Sequence, residues 1–170
     1  MVCNRTSSCW ARGSLVGGFP ISAVVVRREI AESIAGHKYF HTFGSNPVSV
    51  AAARATLVVI QQDGLIDNAH ERGQQFLTGL AELKSRYPVI GDVRGAGVMA
   101  GVEFVADGDP GRPATDLAKR VHENLRDNGV MIGRGSATGN AFRFNRALTI
   151  TADMVDAVIE AFEVALKAVG

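Results

Sequence analysis

Tyr39-Phe40-His41-Thr42-Phe43-Gly44-Ser45-Asn46-Pro47 runs directly into Val48-Ser49-Val50-Ala51-Ala52-Ala53-Arg54-Ala55-Thr56-Leu57-Val58-Val59-Ile60-Gln61-Gln62. Asn46 is a good helix N-cap, and Pro47 suits the first helical position, where its missing N–H costs nothing. The residues behind them are small and apolar on nearly every side, which predicts a buried helix. A polar, glycine-containing loop at the start of an enclosed helix offers orphan N–H groups to an anion, with the Thr42 hydroxyl beside them. On these residues alone a capped turn before a core helix is the stronger reading.

Composition sets the frame. A chain of 170 residues is the size of one ordinary domain. A net charge of +1 gives no electrostatic case for nucleic acid or for acidic membranes. No apolar run reaches membrane-spanning length, since Val24-Val25-Val26 meets Arg27-Arg28 at once. Without a hydrophobic signal core at the N-terminus, a cytoplasmic location is expected. Cys3 and Cys9 have no companion pair at zinc spacing and read as free thiols.

Along the chain, Met1 to Ser14 shows no periodicity. Gly17 to Val26 reads as a glycine turn feeding a buried strand, and Arg28 to Ala35 as a short helix stopped by Gly36. After the Pro47–Gln62 helix, Gly64 is a break. A second helix starts near Leu65 and ends at Pro88, with Leu65, Ala69, Phe76, Leu80, Leu83 and Tyr87 at largely helical spacing. Val89–Arg94 and Val98–Val105 read as strands about Gly95-Ala96-Gly97. A polar loop, Asp107 to Arg112, precedes a helix carrying Leu117, Val121 and Leu125, which Asn128-Gly129 ends. Val130–Ile132 and Ala141–Phe144 read as short strands around a glycine-rich loop, Gly133 to Asn140, expected to be mobile and near the substrate side. Thr151 caps a last helix reaching about Ala168, with Asp153 in its first turn. This order predicts an α+β layer, an antiparallel sheet with helices on one face.

Two motifs match on paper only. Gly95-Ala96-Gly97-Val98-Met99-Ala100 fits a dinucleotide fingerprint, but that fingerprint needs a helix after the turn, and a strand-like run follows. Gly133-Arg134-Gly135 lacks the lysine and helix of a phosphate cradle. His37, His41, His70 and His122 are too scattered for a metal set; His70 and His122 are expected to be solvated on their helices. No Gly-x-Ser-x-Gly elbow occurs.

Thr42-Phe43-Gly44-Ser45-Asn46-Pro47 resembles the T-F-G-G-N-P loop of class III aminotransferases, fold-type I enzymes dependent on pyridoxal 5'-phosphate (PLP). Gly17-Gly18-Phe19-Pro20-Ile21-Ser22-Ala23-Val24 is similar to their G-G/N-G-F-P-hydrophobic-G-A-V turn. Asp92 to Glu103 is similar to V-R-G-x-G-L-M-x-G-hydrophobic-E, where the glycines let two strands approach closely. Arg143-Phe144-Asn145-Arg146-Ala147-Leu148-Thr149-Ile150 keeps the arginine, leucine and isoleucine of R-hydrophobic-x-P-P-L-T/V-I, with Arg146-Ala147 in place of the prolines. The resemblance runs from about Gly17 to the C-terminus.

The resemblance implies roles. Thr42 would hold the cofactor phosphate, usually that of the neighbouring subunit of a homodimer. Arg143 would clamp a substrate carboxylate, for which a guanidinium fork is apt chemistry. It also implies transfer of an amino group from an amino acid or amine to a 2-oxo acid. The implied organisation is an irregular N-terminus (1–16), a remnant of the large PLP-binding domain (17–46), the buried connecting helix (47–62) and the C-terminal small domain (63–170).

One essential group departs from the pattern. PLP chemistry requires a lysine amine for the Schiff base and for proton transfer, a few residues before the G-F-P turn. Arg12 or Gly13 stands there, and the lysines are Lys38, Lys84, Lys119 and Lys167. Arginine stays protonated and cannot take that role. The expectation is therefore a C-terminal portion of such an enzyme, inactive alone and without catalytic residues. The alternatives are a non-catalytic dimerisation module and one half of a split enzyme completed by an N-terminal partner.

Overall fold

The computed structural model describes residues 7–11, 21–37, 42, 44 and 46–169. They fall into two compact units, Met1–Asp63 and Gly64–Gly170.

In the first unit, β1 (Ser7–Ala11) pairs antiparallel with β2 (Ser22–Val26), Ser7 opposite Val26 and Ala11 opposite Ser22. β1 lies in the stretch expected to be irregular. Ser-Ser-Cys-Trp-Ala carries no alternation, and pairing with the valine-rich β2 is what extends it. The Gly17–Pro20 turn lies outside the described residues. α1 spans Arg28–Ile34 and α2 spans Pro47–Gln62. The Asn46 cap is as read: its Oδ1 accepts from the N–H groups of Val48 and Ser49 at 3.0 and 3.2 Å.

Burial in this unit departs from expectation. In α2 only Ser49 and Ala53 are buried, and Val48, Val58 and Val59 stand 58%, 46% and 45% exposed. Val24 and Val25 of β2 are exposed as well. The physical reason is the size of the local core, which is Ala53 with Ile21, Ala23 and Ala52 packed against it. An all-round apolar helix needs cover on every side, and this unit supplies it on one.

The second unit holds α3 (Leu65–Arg86), β3 (Ile90–Ala96), β4 (Met99–Ala106), β5 (Asp109–Pro113), α4 (Thr115–Asp127), β6 (Gly133–Gly135), β7 (Ala141–Asn145) and α5 (Ala152–Val169). The sheet runs β3-β4-β7-β6 with β5 on β4, and every pair is antiparallel. Alternation sends Val102, Phe104, Phe142 and Phe144 to one face, where they pack with Phe76, Leu80, Val121, Leu125, Val155 and Phe162 from the helices. Phe104 and Phe142 meet edge to face at 4.7 Å between centroids, as do Phe76 and Phe144 at 5.1 Å. This is the expected α+β layer.

Two strands differ from the sequence reading. β5 forms within the expected polar loop, where Pro110 and Pro113 are tolerated because the strand is an edge. The strand expected at Val130–Ile132 lies instead at Gly133–Gly135: the glycine backbone pairs with β7, while Val130 and Ile132 pack against the core.

Close approach fixes the hairpin. A Cβ added to Gly73 of α3 would lie 2.3 Å from the Gly97 carbonyl oxygen in the β3–β4 turn. G73A should therefore lower stability by about 2 kcal/mol or more in chemical denaturation, where an ordinary helical Gly→Ala change is stabilising. α3 and α5 are also tied by Glu163, which accepts from Arg86 at 2.7 Å and pairs with Lys167 at 2.8 Å. Arg86 first, then Lys167, pulls the Glu163 carboxyl down to about 2. A depressed folded value means stability present above the ordinary carboxylate range and lost as pH falls toward 2. E163Q should show a shallower loss of Tm across that acid window than the parent chain.

Candidate functional site

Strand register builds the site. Arg94 lies opposite Gly101, Gly101 opposite Arg143, and Arg143 opposite Gly133, so one row crosses β3, β4, β7 and β6. Its neighbours Val102 and Phe142 face the core, and the row itself faces away from the helices. A cleft of about 590 Å³ lies over this outer face. Arg94, Arg134 and Arg143 line it, with Met99, Gly101, Gly135, Ser136, Ala141 and Asn145.

The floor is made of absent side chains. At Gly101 an added Cβ would meet nothing closer than 3.7 Å, and at Gly135 nothing within 4 Å, with neither residue at positive φ. Neither packing nor backbone geometry demands glycine there, and glycine weakens a strand. A side chain at 101 would stand between Arg94 and Arg143. The two glycines keep that space free.

The charges are not equivalent. Arg94 is held in its charged form by Asp92 first and then by Glu103, the latter at 3.3 Å. Arg134 and Arg143 are exposed and make no ion pair or side-chain hydrogen bond among the described residues. The rim beside them is fixed by Asn140, 1% exposed. Its Oδ1 accepts from Ser136 Oγ at 2.9 Å and Thr138 Oγ1 at 2.6 Å, while Nδ2 donates to the Phe104 carbonyl at 2.7 Å. Ser136 sits at φ 83°, a left-handed conformation that this network holds. The loop expected to be mobile is thus tied to the central strand.

The sequence-derived candidates fall in different units. Arg143 is on β7 of the second, in the cleft. Thr42 is in the first, exposed in a turn before α2, while Phe43, Ser45 and His41 lie outside the described residues. Asn46 already occupies the N–H groups of Val48 and Ser49, so the α2 terminus has fewer free donors than the sequence suggests. Arg12 and Gly13 are also outside the described residues. For PLP the fit is partial. Thr42 offers a hydroxyl, while the lysine of the family pattern has no counterpart before Phe19-Pro20. Among the described residues no group of three acidic, histidine or cysteine side chains could hold a metal ion.

Sequence reasoning missed three participants. Arg94 and Gly101 were legible as hairpin residues, and only register shows that they flank Arg143. Asn140 carried no signal beyond following Gly139. His122, expected to be solvated, is half-buried, with Nε2 3.1 Å from the Ile132 carbonyl oxygen and its ring against Phe142.

Arg146, three residues beyond Arg143, is the least comfortable group in the unit. Its backbone N–H and Nε both donate to the Val98 carbonyl, at 3.3 and 3.0 Å. Its guanidinium lies 3.6 Å over the Phe76 ring. Nη1 and Nη2 are buried with no hydrogen-bond partner among the described residues, and burial lowers the group to about 10. That depression corresponds to a burial cost of about 3 kcal/mol, standing at every pH below the lowered value. It exceeds the roughly 2 kcal/mol from one hydrogen bond and a cation–π contact. R146M should therefore raise stability by about 1 kcal/mol in urea denaturation, with the Val98 carbonyl still bonded through the backbone.

The family model for class III aminotransferases matches residues 8–166, from before the Gly17 at which the sequence resemblance was placed. The chain is 40% identical over 150 residues to an Arabidopsis thaliana protein named alanine–glyoxylate aminotransferase 2 homolog 2, mitochondrial, covering 88% of this chain and 31% of that one. It is 38% identical over 151 residues to Homo sapiens alanine–glyoxylate aminotransferase 2, mitochondrial, covering 88% and 29%. Among solved structures, a Bacillus anthracis aminotransferase superposes with a TM-score of 0.86 at 29% identity, over 98% of this chain and 39% of that one. A PLP-bound amine transaminase from an uncultivated Pseudomonas species gives 0.84 at 29% identity, over 97% and 39%. The chain thus spans about a third of the length of the relatives it matches. Among the described residues no helix is long and apolar enough to cross a membrane. Matched over nearly all of its length, the chain belongs to the class III aminotransferase family.

Proposed function

We propose that this chain supplies the substrate-carboxylate side of an aminotransferase site and does not transaminate alone. The family cofactor is PLP, and the reaction in view is transfer of an amino group from an amino acid or amine to a 2-oxo acid. Arg143 is the carboxylate clamp. The observation that carries this is an exposed guanidinium without an ion-pair or side-chain hydrogen-bond partner among the described residues, set in a cleft whose glycine floor no folding requirement explains. Two parallel N–H···O bonds from such a fork fix a carboxylate in one orientation. Thr42, if it meets a phosphate, contributes one hydroxyl donor from the first unit. Only in the alternative of a split enzyme would the Schiff-base lysine come from a separate N-terminal partner half, since neither Arg12 nor Gly13 provides it.

A second reading, that of an association module, rests on a separate observation. Val48, Val58 and Val59 of α2 and Val24 and Val25 of β2 leave a large apolar surface exposed around a core of four residues. A concentration-dependent dimer in sedimentation, formed without PLP, would favour it; a monomer at all concentrations would count against it.

The first reading is tested by titrating pyruvate into the labelled chain and following the arginine side-chain N–H signals. Saturable shifts at Arg143 in the parent are expected, with binding read from backbone amides of β7 weakened about tenfold or more in R143Q and several-fold in R143K. Identical binding by the parent and R143Q would contradict the assignment. With PLP, an amino donor and a 2-oxo acid, the isolated chain should give no turnover above the rate of free PLP.

A further inference from the structure

β7, the strand that carries Arg143, is fastened at its two ends by different means. At its start, buried Asn140 donates from Nδ2 to the Phe104 carbonyl, and the Phe104 N–H donates to the Asn140 carbonyl at 2.9 Å. At its end the last rung on β4 is Asn145 opposite Met99. Both residues line the cleft, next to the rung of Arg143 on Gly101. An end rung that opens moves this wall and loosens Arg143 two residues away. Arg146 follows the rung directly. Its backbone N–H reaches the Val98 carbonyl at 3.3 Å, so the shorter bond, from Nε at 3.0 Å, belongs to the side chain. The guanidinium then lies over Phe76 of α3, three residues beyond the Gly73 on which the Gly97 turn packs. One side chain thus joins the end of β7, the β3–β4 turn and α3. The junction costs stability rather than supplying it, because Nη1 and Nη2 are buried with no partner among the described residues.

We infer that Arg146 is a positioning residue for the Arg143 clamp: by joining the end of β7 to the Val98 carbonyl and the Phe76 ring, it holds the Met99–Asn145 wall of the cleft at the expense of folding stability. It touches no ligand itself, since its guanidinium lies on the helix side of the sheet with Phe76 and Arg143 lies on the other. The inference rests on the reading of Arg143 as the carboxylate clamp. One substitution then moves two quantities in opposite directions. Removing the guanidinium relieves two unpaired N–H groups and raises global stability, while the end rung opens more often and the clamp holds a carboxylate less well. A residue that only filled the core would move both together.

The test compares the full chain with R146M, R146K and R143Q by urea denaturation, by amide hydrogen exchange and by acetate titration read from backbone amides of β7. R146M should have a higher urea midpoint than the parent, exchange its β7 amides about tenfold faster relative to those of α3, and bind acetate about threefold more weakly or worse. R146K keeps a cation for the Phe76 ring and a donor for the Val98 carbonyl, so it should bind acetate within about twofold of the parent. Acetate affinity in R146M equal to that of the parent would overturn the inference. So would weaker binding in R146M with β7 exchange unchanged, which would reduce Arg146 to a distant charge. Loss of stability and affinity together in R146M would also overturn it, as would R146K binding as weakly as R146M. The failures separate: acetate binding indifferent to R143Q removes the clamp itself, whereas Arg143-dependent binding that R146M leaves unchanged removes only the role of Arg146.

Discussion

The register of β7 on β4 is the constraint on which the rest of the second unit depends. Phe142 and Phe144 must lie under the helices, where they meet Phe104, Phe76 and Phe162. Because side chains alternate, burying those two rings sends Arg143 to the opposite face. A slip of one residue would drive a guanidinium into an aromatic core and expose both rings. Each of those errors costs several kcal/mol, so the position of Arg143 is guaranteed by hydrophobic packing rather than by any polar contact of its own. The same register brings Arg94, Gly101 and Gly133 into its row, and the cleft follows.

That division of labour explains what could be read from the sequence. The helical periods of α3, α4 and α5 and the β3–β4 turn are carried by repeated apolar residues, and they lie where the pattern places them. β6 and β5 are not, because Gly-Arg-Gly and Asp-Pro-Gly-Arg-Pro have no apolar period; they are strands only through pairing with β7 and β4. Arg143 was legible through its motif. Arg94 and Asn140 became visible only once the sheet set them beside it. α2 misled because an all-round apolar helix reports a need for burial, not the presence of what buries it.

Departures from the family pattern fall on two sides of the chemistry. On the carboxylate side, Arg146 replaces a proline, yet the strand end is still held, through two bonds to the Val98 carbonyl and a stack on Phe76. One constraint has been exchanged for another, at the expense of two buried N–H groups left unpaired. On the cofactor side no such exchange is present. Arg12 or Gly13 stands at the lysine position, arginine keeps its proton and glycine has no side chain, and the four lysines stand elsewhere in the sequence. On the proposed reading Arg143 serves recognition, while the lysine of the family pattern has no counterpart at its position in this sequence.

The most direct measurement is an absorbance titration of the purified chain with PLP, followed by borohydride reduction and peptide mapping. The account predicts no saturable band, and diffuse labelling shared among Lys38, Lys84, Lys119 and Lys167. A stoichiometric band trapped on one of those lysines would contradict it, because the chain would then carry an amine capable of the family's chemistry.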